Sequence, residues 1–352
     1  MERPKEFLAK YLLQNSAAEA SDEALAYNNR GARCHLRGDR DGARREYEAA
    51  LACDPANATA LNNLGFLIAQ EGRFADAIGY YERALAIDPV RVMALINVGN
   101  ARVALGDING AFEAFYRAVA ADDQNRLAWD NLAKLSMAAG RLGDAENAWR
   151  SALAIAPREA RFHLSLGIIV AARGRLTEAA ALIETATELD PESADAWAQL
   201  GLVRLGRQDL GSATDALRRA LALAPENTTI RHHLSMVLLA RGEQEESERE
   251  LERMLVIEPG HVAAALDLGV HALSSQRLED ALARFDLALA GEPSHPRARY
   301  YRGLALQLLG RAEEAARMLA PLAAEAPSKY ADLARQRLEQ DREHGREPAV
   351  GG

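Results

Sequence analysis

The sequence predicts an all-α protein built from stacked helical hairpins. Residues 58–91 carry two runs of apolar or small side chains at three- and four-residue steps, which mark one face of each of two helices. Gly72 separates the runs, and Pro89 ends the second, because proline has no N–H to donate to a continuing helix. The same pattern recurs before and after this stretch. Such units form a solenoid, in which each hairpin buries its apolar face against its neighbours.

The unit is 34 residues long, and nine copies follow one another between residues 24 and 329 without an insertion. The predicted copies are 24–57, 58–91, 92–125, 126–159, 160–193, 194–227, 228–261, 262–295 and 296–329. Position 20 of every copy is alanine except at Ser247, and position 8 is glycine except at Ala133 and Ser235. We expect these positions to be small because the two helices of a hairpin cross closely there, as at Gly65 and Ala77. Position 32 is proline except at Asp123.

This spacing resembles the tetratricopeptide repeat (TPR), a 34-residue helical hairpin. The resemblance implies a right-handed superhelix of antiparallel hairpins. It also implies that positions 2, 5, 6 and 9 of each first helix line a concave groove, whereas positions 4, 7, 8 and 11 face the partner helix. Trp129 and Trp197 occupy position 4, and we expect the indole of Trp129 to be buried between helices.

Composition excludes several classes of function. The formal net charge of −9 and a pI near 5.5 argue against nucleic-acid binding, which depends on phosphate contacts. No apolar run approaches the roughly 20 residues of a membrane span, so we predict no membrane insertion. The only cysteines, Cys34 and Cys53, stand at positions that apolar or small residues fill elsewhere. We expect buried thiols rather than a disulfide.

Residues 1–23 precede the repeats. Pro4 could open a short helix that packs on the first repeat or, alternatively, docks on another protein or a second copy. Its apolar face would consist of Phe7, Leu8, Tyr11 and Leu12. Lys5, Glu6 and Lys10 interrupt any signal-peptide core, so we expect a cytoplasmic location.

The third and seventh repeats depart from the pattern. In the third, the Asp122–Gln124 stretch replaces the terminal proline, and we still expect a turn there. In the seventh, Ser235, Ser247 and Met254 replace small residues, which predicts a weak joint. Its acidic run, residues 242–248, is either a solvated helix start or an acidic docking patch.

The C-terminal part contains a predicted capping helix over residues 330–343 and a disordered tail over 344–352. Ser328 would cap this helix, which would cover the last apolar face of the solenoid. Its inward residues would be Tyr330, Leu333, Ala334 and Leu338.

The sequence contains no pattern typical of catalysis. It has no phosphate-binding glycine loop, no zinc-type cluster and no nucleophile elbow. His232 and His233 are adjacent, so they point apart on a helix and do not chelate one metal. We therefore predict a protein that is not an enzyme and that needs no cofactor or metal.

Asparagines recur on the predicted groove stripe of the first four repeats. Position 6 carries Asn29, Asn63, Asn97 and Asn131; position 5 adds Asn28, Asn62 and Asp130; position 9 adds Phe66, Asn100 and Lys134. A side-chain amide offers a donor and an acceptor, which matches the backbone of an extended peptide. The row is similar to the asparagine ladder of O-linked N-acetylglucosamine transferase, where such residues hold a peptide backbone. We expect these ten residues to bind peptide, and the change Asn63→Ala, Asn97→Ala to weaken binding without unfolding.

The rest of the stripe differs in character. It becomes apolar in the later repeats, at Leu164, Ile168, Leu202, Met236, Leu266 and Val270, and Tyr300 and Tyr301 close it. It also departs from the chaperone-binding carboxylate clamp, which needs basic residues, because only Lys134, Arg161 and Arg297 are candidates.

Two hypotheses of different class follow. The first is a scaffold or adaptor that binds an extended peptide or a segment of a partner protein. The second is a structural protein that self-assembles, so a homo-oligomer is possible; a weaker third alternative is a regulatory subunit of a separate enzyme.

Overall fold

A computed structural model describes residues 22–344 of the chain, with side chains to residue 340, and every element in this range is a helix. The all-α prediction is therefore confirmed. The chain divides into two compact units, residues 1–189 and 190–352. Within residues 22–344, no helix combines the length and apolar character that a membrane span requires.

The first unit, described from residue 22, consists of paired helices. They are α1 (Asp22–Arg37), α2 (Arg40–Cys53), α3 (Ala58–Ala69), α4 (Phe74–Ile87), α5 (Val92–Ala104), α6 (Ile108–Ala121), α7 (Arg126–Ala138), α8 (Leu142–Ile155), α9 (Ala160–Ala172) and α10 (Leu176–Leu189). Each odd-numbered helix packs against the next helix to form a hairpin, and α3 also contacts α1, α2 and α5. From α3 onward, each first helix begins at the first residue of a 34-residue copy.

The second unit, described to residue 344, repeats this arrangement and adds one helix. Its helices are α11 (Ala194–Gly206), α12 (Leu210–Leu223), α13 (Thr228–Ala240), α14 (Gln244–Ile257), α15 (Val262–Ser274), α16 (Leu278–Gly291), α17 (Pro296–Leu308), α18 (Ala312–Ala324) and α19 (Lys329–His344). The Ser328 hydroxyl accepts from the Ala331 amide at 3.3 Å, so the expected cap is present. Ala334 is buried with Leu319 and Leu322, and α19 covers the last hairpin.

Close helix crossing explains the small residues. A Cβ added to Gly65 would lie 2.7 Å from the Tyr81 ring, which is closer than side chains tolerate. Ala77 is fully buried in the same hairpin. The alanines at position 20 of the other copies are also fully buried, and Ser247 is 1% exposed. The expectation of tight crossing at positions 8 and 20 is confirmed.

The turn within each hairpin needs a left-handed residue. Gly72 has φ +80°, and a glycine adopts a similar value at the matching position of most other copies. Gln208 and Gln276 stand at that position in the sixth and eighth copies, with φ 63° and 60°. A side chain is strained in this region, because its Cβ approaches backbone atoms that glycine avoids.

Three side chains differ from expectation. The Trp129 indole is only half-buried, and its Nε1 donates to the carbonyl of Asp123 at 2.8 Å. The buried tryptophan is Trp149, at 1% exposure. Cys34 is half-buried and Cys53 is exposed, so the expectation of buried thiols is wrong, although both are free as predicted. Cys53 is the last residue of α2, where the helix end leaves it in solvent.

The departures of the third and seventh copies are accommodated locally. Between α6 and α7, the Gln124 amide donates to Asp122 Oδ1 at 3.0 Å, which forms the turn without proline. In the seventh copy, the Ser247 hydroxyl donates to the carbonyl of Ser235 at 2.9 Å, and Met254 is fully buried. These contacts pair the buried hydroxyl of Ser247, and the weak joint stays a prediction.

Other expectations lie outside the described residues. The N-terminal helix with Phe7, Leu8, Tyr11 and Leu12 falls before residue 22, and most of the expected tail, residues 345–352, falls after the last described residue.

Candidate functional site

The inner stripe comprises positions 2, 5, 6 and 9 of each first helix. In the first four copies these residues lie on α1, α3, α5 and α7, where each helix contacts the first helix of the next copy. Helix starts are fixed by local caps, such as Asn57 Oδ1, which accepts from the Ala60 amide at 2.9 Å and so sets the rotation of α3. Stripe residues therefore come close to stripe residues of the neighbouring copies.

Four of the predicted asparagines form one hydrogen-bonded chain across three helices. Asn63 Nδ2 donates to Asn28 Oδ1 at 3.1 Å, which links α3 to α1. Asn62 Nδ2 lies 3.4 Å from Asn63 Oδ1 within α3. Asn97 Nδ2 donates to Asn62 Oδ1 at 2.9 Å, which links α5 to α3. The amides thus join the first helices of three consecutive copies.

The side chains of this chain of asparagines are buried. Asn62 and Asn63 have no exposed surface, Asn28 is 1% exposed and Asn97 is 6% exposed. Removing two of them would break bonds between helices, because each buried amide pairs with another. The change Asn63→Ala, Asn97→Ala therefore perturbs stability as well as the stripe.

Two polar atoms at the N-terminal end of the chain are unsatisfied. Asn28 Nδ2 and Asn29 Oδ1 are buried, and neither has a hydrogen-bond partner in the part of the chain that the structure describes. One is a donor and the other an acceptor. A buried unpaired polar group costs about 1–3 kcal/mol, so a group that pairs with either atom stabilises the protein.

The remaining predicted residues are more accessible. Asn131 is half-buried, and its Nδ2 donates to the carbonyl of Leu127 at 2.8 Å. Phe66 is half-buried, with its ring centroid 5.7 Å from that of His35. Asn100 and Lys134 are exposed. These side chains form the reachable part of the stripe.

Asp130 serves a structural role on α7. It is 1% exposed, and its Oδ2 contacts Lys134 Nζ and Arg161 Nη1, each at 2.9 Å. Its Oδ1 accepts from Trp149 Nε1 at 3.2 Å. Three donors converge on this buried carboxylate, so Asp130 joins three helices and orients Lys134 beside Asn131.

The second unit carries a different polar group on its own stripe. His232 Nε2 lies 2.9 Å from Asp267 Oδ2, and Arg297 Nη2 lies 3.2 Å from Asp267 Oδ1. Burial raises the pKa of Asp267, but the hydrogen bond to His232 and the charge of Arg297 outweigh it and lower the pKa below its usual value. The sequence analysis missed this group because its members lie in three different copies.

Tyrosines end this stripe. The ring centroids of Tyr300 and Tyr301 are 5.4 Å apart, and Tyr330 of α19 lies 5.9 Å from Tyr300. All three are half-buried. Of the predicted apolar stripe, Leu266 is buried and Met236 is 47% exposed. The structure thus adds Tyr330, which the sequence analysis had placed in the cap.

The described side chains offer no constellation for metal binding. Residues 22–340 contain no group of three or more histidine, cysteine or carboxylate side chains placed to hold an ion. The stripe provides amides, a hydroxyl-bearing aromatic cluster and paired charges. Such groups bind another chain by hydrogen bonds and packing.

Comparison with known families and structures matches the helical repeat. A family model described as "Tetratricopeptide repeat" matches residues 37–91, 69–126, 131–194 and 266–331. A second, described as "Cytochrome c-type biogenesis protein H TPR domain", matches residues 181–295. A search of the curated proteins gave no match.

Several solved structures are similar. The APC/C hetero-tetramer Cut9-Hcn1 is 16% identical, with a TM-score of 0.52 over 85% of this chain and 58% of that chain. MamA is 27% identical, with a TM-score of 0.42 over 46% of this chain and 94% of that chain. YrrB, described as a TPR protein with an unusual peptide-binding site, is 21% identical, with a TM-score of 0.47 over 56% of this chain and 97% of that chain.

Proposed function

Since this chain belongs to the tetratricopeptide repeat family, whose fold serves as a protein–protein interaction scaffold, we propose that it is a non-catalytic adaptor. In this proposal, it binds an extended segment of a partner protein along the inner stripe of α1, α3, α5 and α7. The observation that carries the proposal is the set of accessible side chains on this stripe, Phe66, Asn100, Asn131 and Lys134. A peptide backbone supplies one carbonyl and one amide per residue, which complement side-chain amides such as those of Asn100 and Asn131.

The buried asparagine chain supports this site by fixing its geometry. Because Asn62, Asn63 and Asn97 bond to one another, they hold neighbouring first helices in register. The accessible residues Phe66, Asn100, Asn131 and Lys134 then contact the partner directly. Each hydrogen bond that they make contributes about 0.5–1.5 kcal/mol net, so two such bonds change affinity by roughly five- to 150-fold.

A pair of matched variants tests the proposal. Asn100→Arg places a bulky charge on the stripe of α5. Asn147→Arg makes the same change at an exposed residue of α8, outside the stripe. The partner is first captured with the full chain, and its contact segment is mapped by cross-linking and mass spectrometry. Titration of that segment should show at least about tenfold weaker binding for Asn100→Arg and unchanged binding for Asn147→Arg. Equal affinities for both variants would refute the inner-stripe site.

Self-assembly and service as a regulatory subunit are the alternative functions. Sedimentation of the full chain over a range of concentrations distinguishes self-assembly, because an adaptor of this kind remains the same size while a self-assembling protein grows. A partner with measurable enzyme activity would be assayed with and without the chain.

A cytoplasmic location is also part of the proposal. Fractionation of cells that produce the tagged chain tests it, and recovery outside the cytoplasm would contradict it.

A further inference from the structure

The side chain that caps the start of a first helix changes along the chain. Asparagine or serine caps α3, α7, α11 and α13, through an oxygen that accepts from a backbone N–H of the first turn. At α15 and α17 the same position is histidine. The Ala264 amide donates to His261 Nδ1, and the Ala298 amide donates to His295 Nδ1, each at 3.2 Å. The first helices of the last two hairpins are therefore capped by imidazole rings.

An imidazole caps a helix only while the ring is neutral. A backbone N–H can only donate, so each contact requires the ring proton on Nε2 and a free lone pair on Nδ1. Protonation turns Nδ1 into a donor, and the amide loses its acceptor. A positive ring is also unfavourable at this end of a helix, where the helix dipole is positive. The oxygens of asparagine and serine undergo no such change, so their caps stay intact.

The fourth copy shows which residues face a side chain at this cap position. Glu159 occupies the position there, and its carboxylate contacts Arg126 Nη1 at 3.0 Å and Arg161 Nε at 3.3 Å. These arginines are the first residue of the preceding first helix and the second residue of the following one. The matching residues are Thr228 and Ala263 for His261, and Val262 and Arg297 for His295. No carboxylate stands at these facing positions.

Other charged groups near the two caps do not replace the lost hydrogen bond. The turns before the histidines contain Glu258 and Glu292, and within residues 22–340 neither forms an ion pair with an imidazole. The last turns of α14 and α16 are uncharged. The arginines at the start of α17 already have partners, Arg297 with Asp267 and Arg299 with Glu325. A carboxylate that attracted the imidazolium would still leave the helix uncapped, because the charged ring has no lone pair to offer.

We propose that His261 and His295 make the last two hairpins sensitive to acid. Histidine is the side chain whose charge ordinarily changes between about pH 5 and 8, so both caps are lost within that range. Stability in a stack of repeats is roughly a sum over repeats and their interfaces. The ninth copy has a neighbouring hairpin on one side only, so it opens first and disperses the tyrosines of α17 and α19. This switch is independent of the proposed peptide site on α1, α3, α5 and α7.

Amide hydrogen exchange of the full chain, corrected for the intrinsic effect of pH, tests the proposal. α17 is the decisive helix because it contains no histidine, whereas α15 also contains His271. Between about pH 7.5 and about pH 5.5, the Ala298 amide of the wild type should lose at least about fivefold in protection. In His295→Asn it should keep its protection, because an amide oxygen accepts at both pH values. No loss in the wild type, or an equal loss in His295→Asn, would overturn the proposal.

Moving the histidine to another helix provides a matched control. The Ala196 amide donates to Ser193 Oγ at 3.2 Å at the start of α11, a helix without histidine. In Ser193→His, the Ala196 amide should gain the pH dependence that the wild type shows at Ala298, and in the wild type it should show none. Circular dichroism at about pH 7.5 verifies that each variant is folded. If the Ala196 amide of folded Ser193→His were insensitive to pH, a histidine cap would not confer acid sensitivity and the proposal would be wrong.

Discussion

The fourth copy contains two tryptophans whose removal should have very different effects. Trp149 on α8 is 1% exposed and donates its Nε1–H to Asp130 Oδ1 at 3.2 Å. Trp129 on α7 is half-buried, and its Nε1–H reaches the Asp123 carbonyl near the helix start. The pair tests whether burial, rather than residue type, sets the energetic contribution.

The structure gives the expected magnitudes. Trp149→Ala should destabilise the protein by about 3–5 kcal/mol, because it leaves a cavity between two helices. Trp149→Phe keeps most of the packing and removes one hydrogen bond, so it should cost about 1 kcal/mol. Asp130 keeps Lys134 and Arg161 as partners, which places that loss near the low end. Trp129→Ala should cost less than about 2 kcal/mol, since much of its ring is already in water.

Urea unfolding followed by circular dichroism measures these differences, with the slope m compared among variants. Matched slopes are needed because repeat proteins can unfold in parts. If Trp129→Ala lowered the free energy of unfolding as much as Trp149→Ala, burial of the indole would not be what sets the loss of stability.

Three further predictions follow from local features. Gln208→Gly should raise the unfolding free energy by about 0.5–1 kcal/mol, because glycine relieves the left-handed strain, and the urea midpoint measures it. Burial lowers the pKa of His35, His233 and His271, so the unfolded chain binds more protons below about pH 6.5. Their contribution is therefore fully present above that pH and is lost as pH falls towards the folded pKa; pH-dependent melting should show this decline, and a flat profile would contradict it. Amides of 228–258 should exchange faster than those of the second to fourth copies, and equal protection would refute the weak joint.

The fold could be predicted because the 34-residue period alone determines where turns, helix crossings and caps fall along the chain. Turn, crossing and cap positions recur every 34 residues, so the sequence alone assigns a role to each of Gly72, Ala77 and Ser328. The prediction failed for Trp129, whose ring is only half-buried and whose Nε1 donates to the carbonyl of Asp123 in the preceding turn. The right-handed superhelix stays a prediction.

The candidate site was predicted only in part. The pattern correctly placed the asparagines of α1, α3 and α5 in register, but whether amides bind each other or a ligand depends on side-chain rotamers and helix separation. Asn63 Nδ2 reaches Asn28 Oδ1 because the two helices are in direct contact. Sequence spacing alone does not show that distance, nor the contact of His232 with Asp267 across 35 positions.

The asparagine chain also has a direction. Asn97 donates to Asn62, Asn62 to Asn63 and Asn63 to Asn28, so all three hydrogen bonds run in one direction, from α5 towards α1. Aligned hydrogen bonds polarise one another, and each becomes stronger when the next is formed. A carbonyl oxygen that accepts from Asn28 Nδ2 would extend this alignment by one member and tighten the contact between α3 and α5 without touching either helix. Binding of such a carbonyl at the first copy would then make the third copy more rigid. The effect would pass through side-chain amides rather than through movement of the backbone.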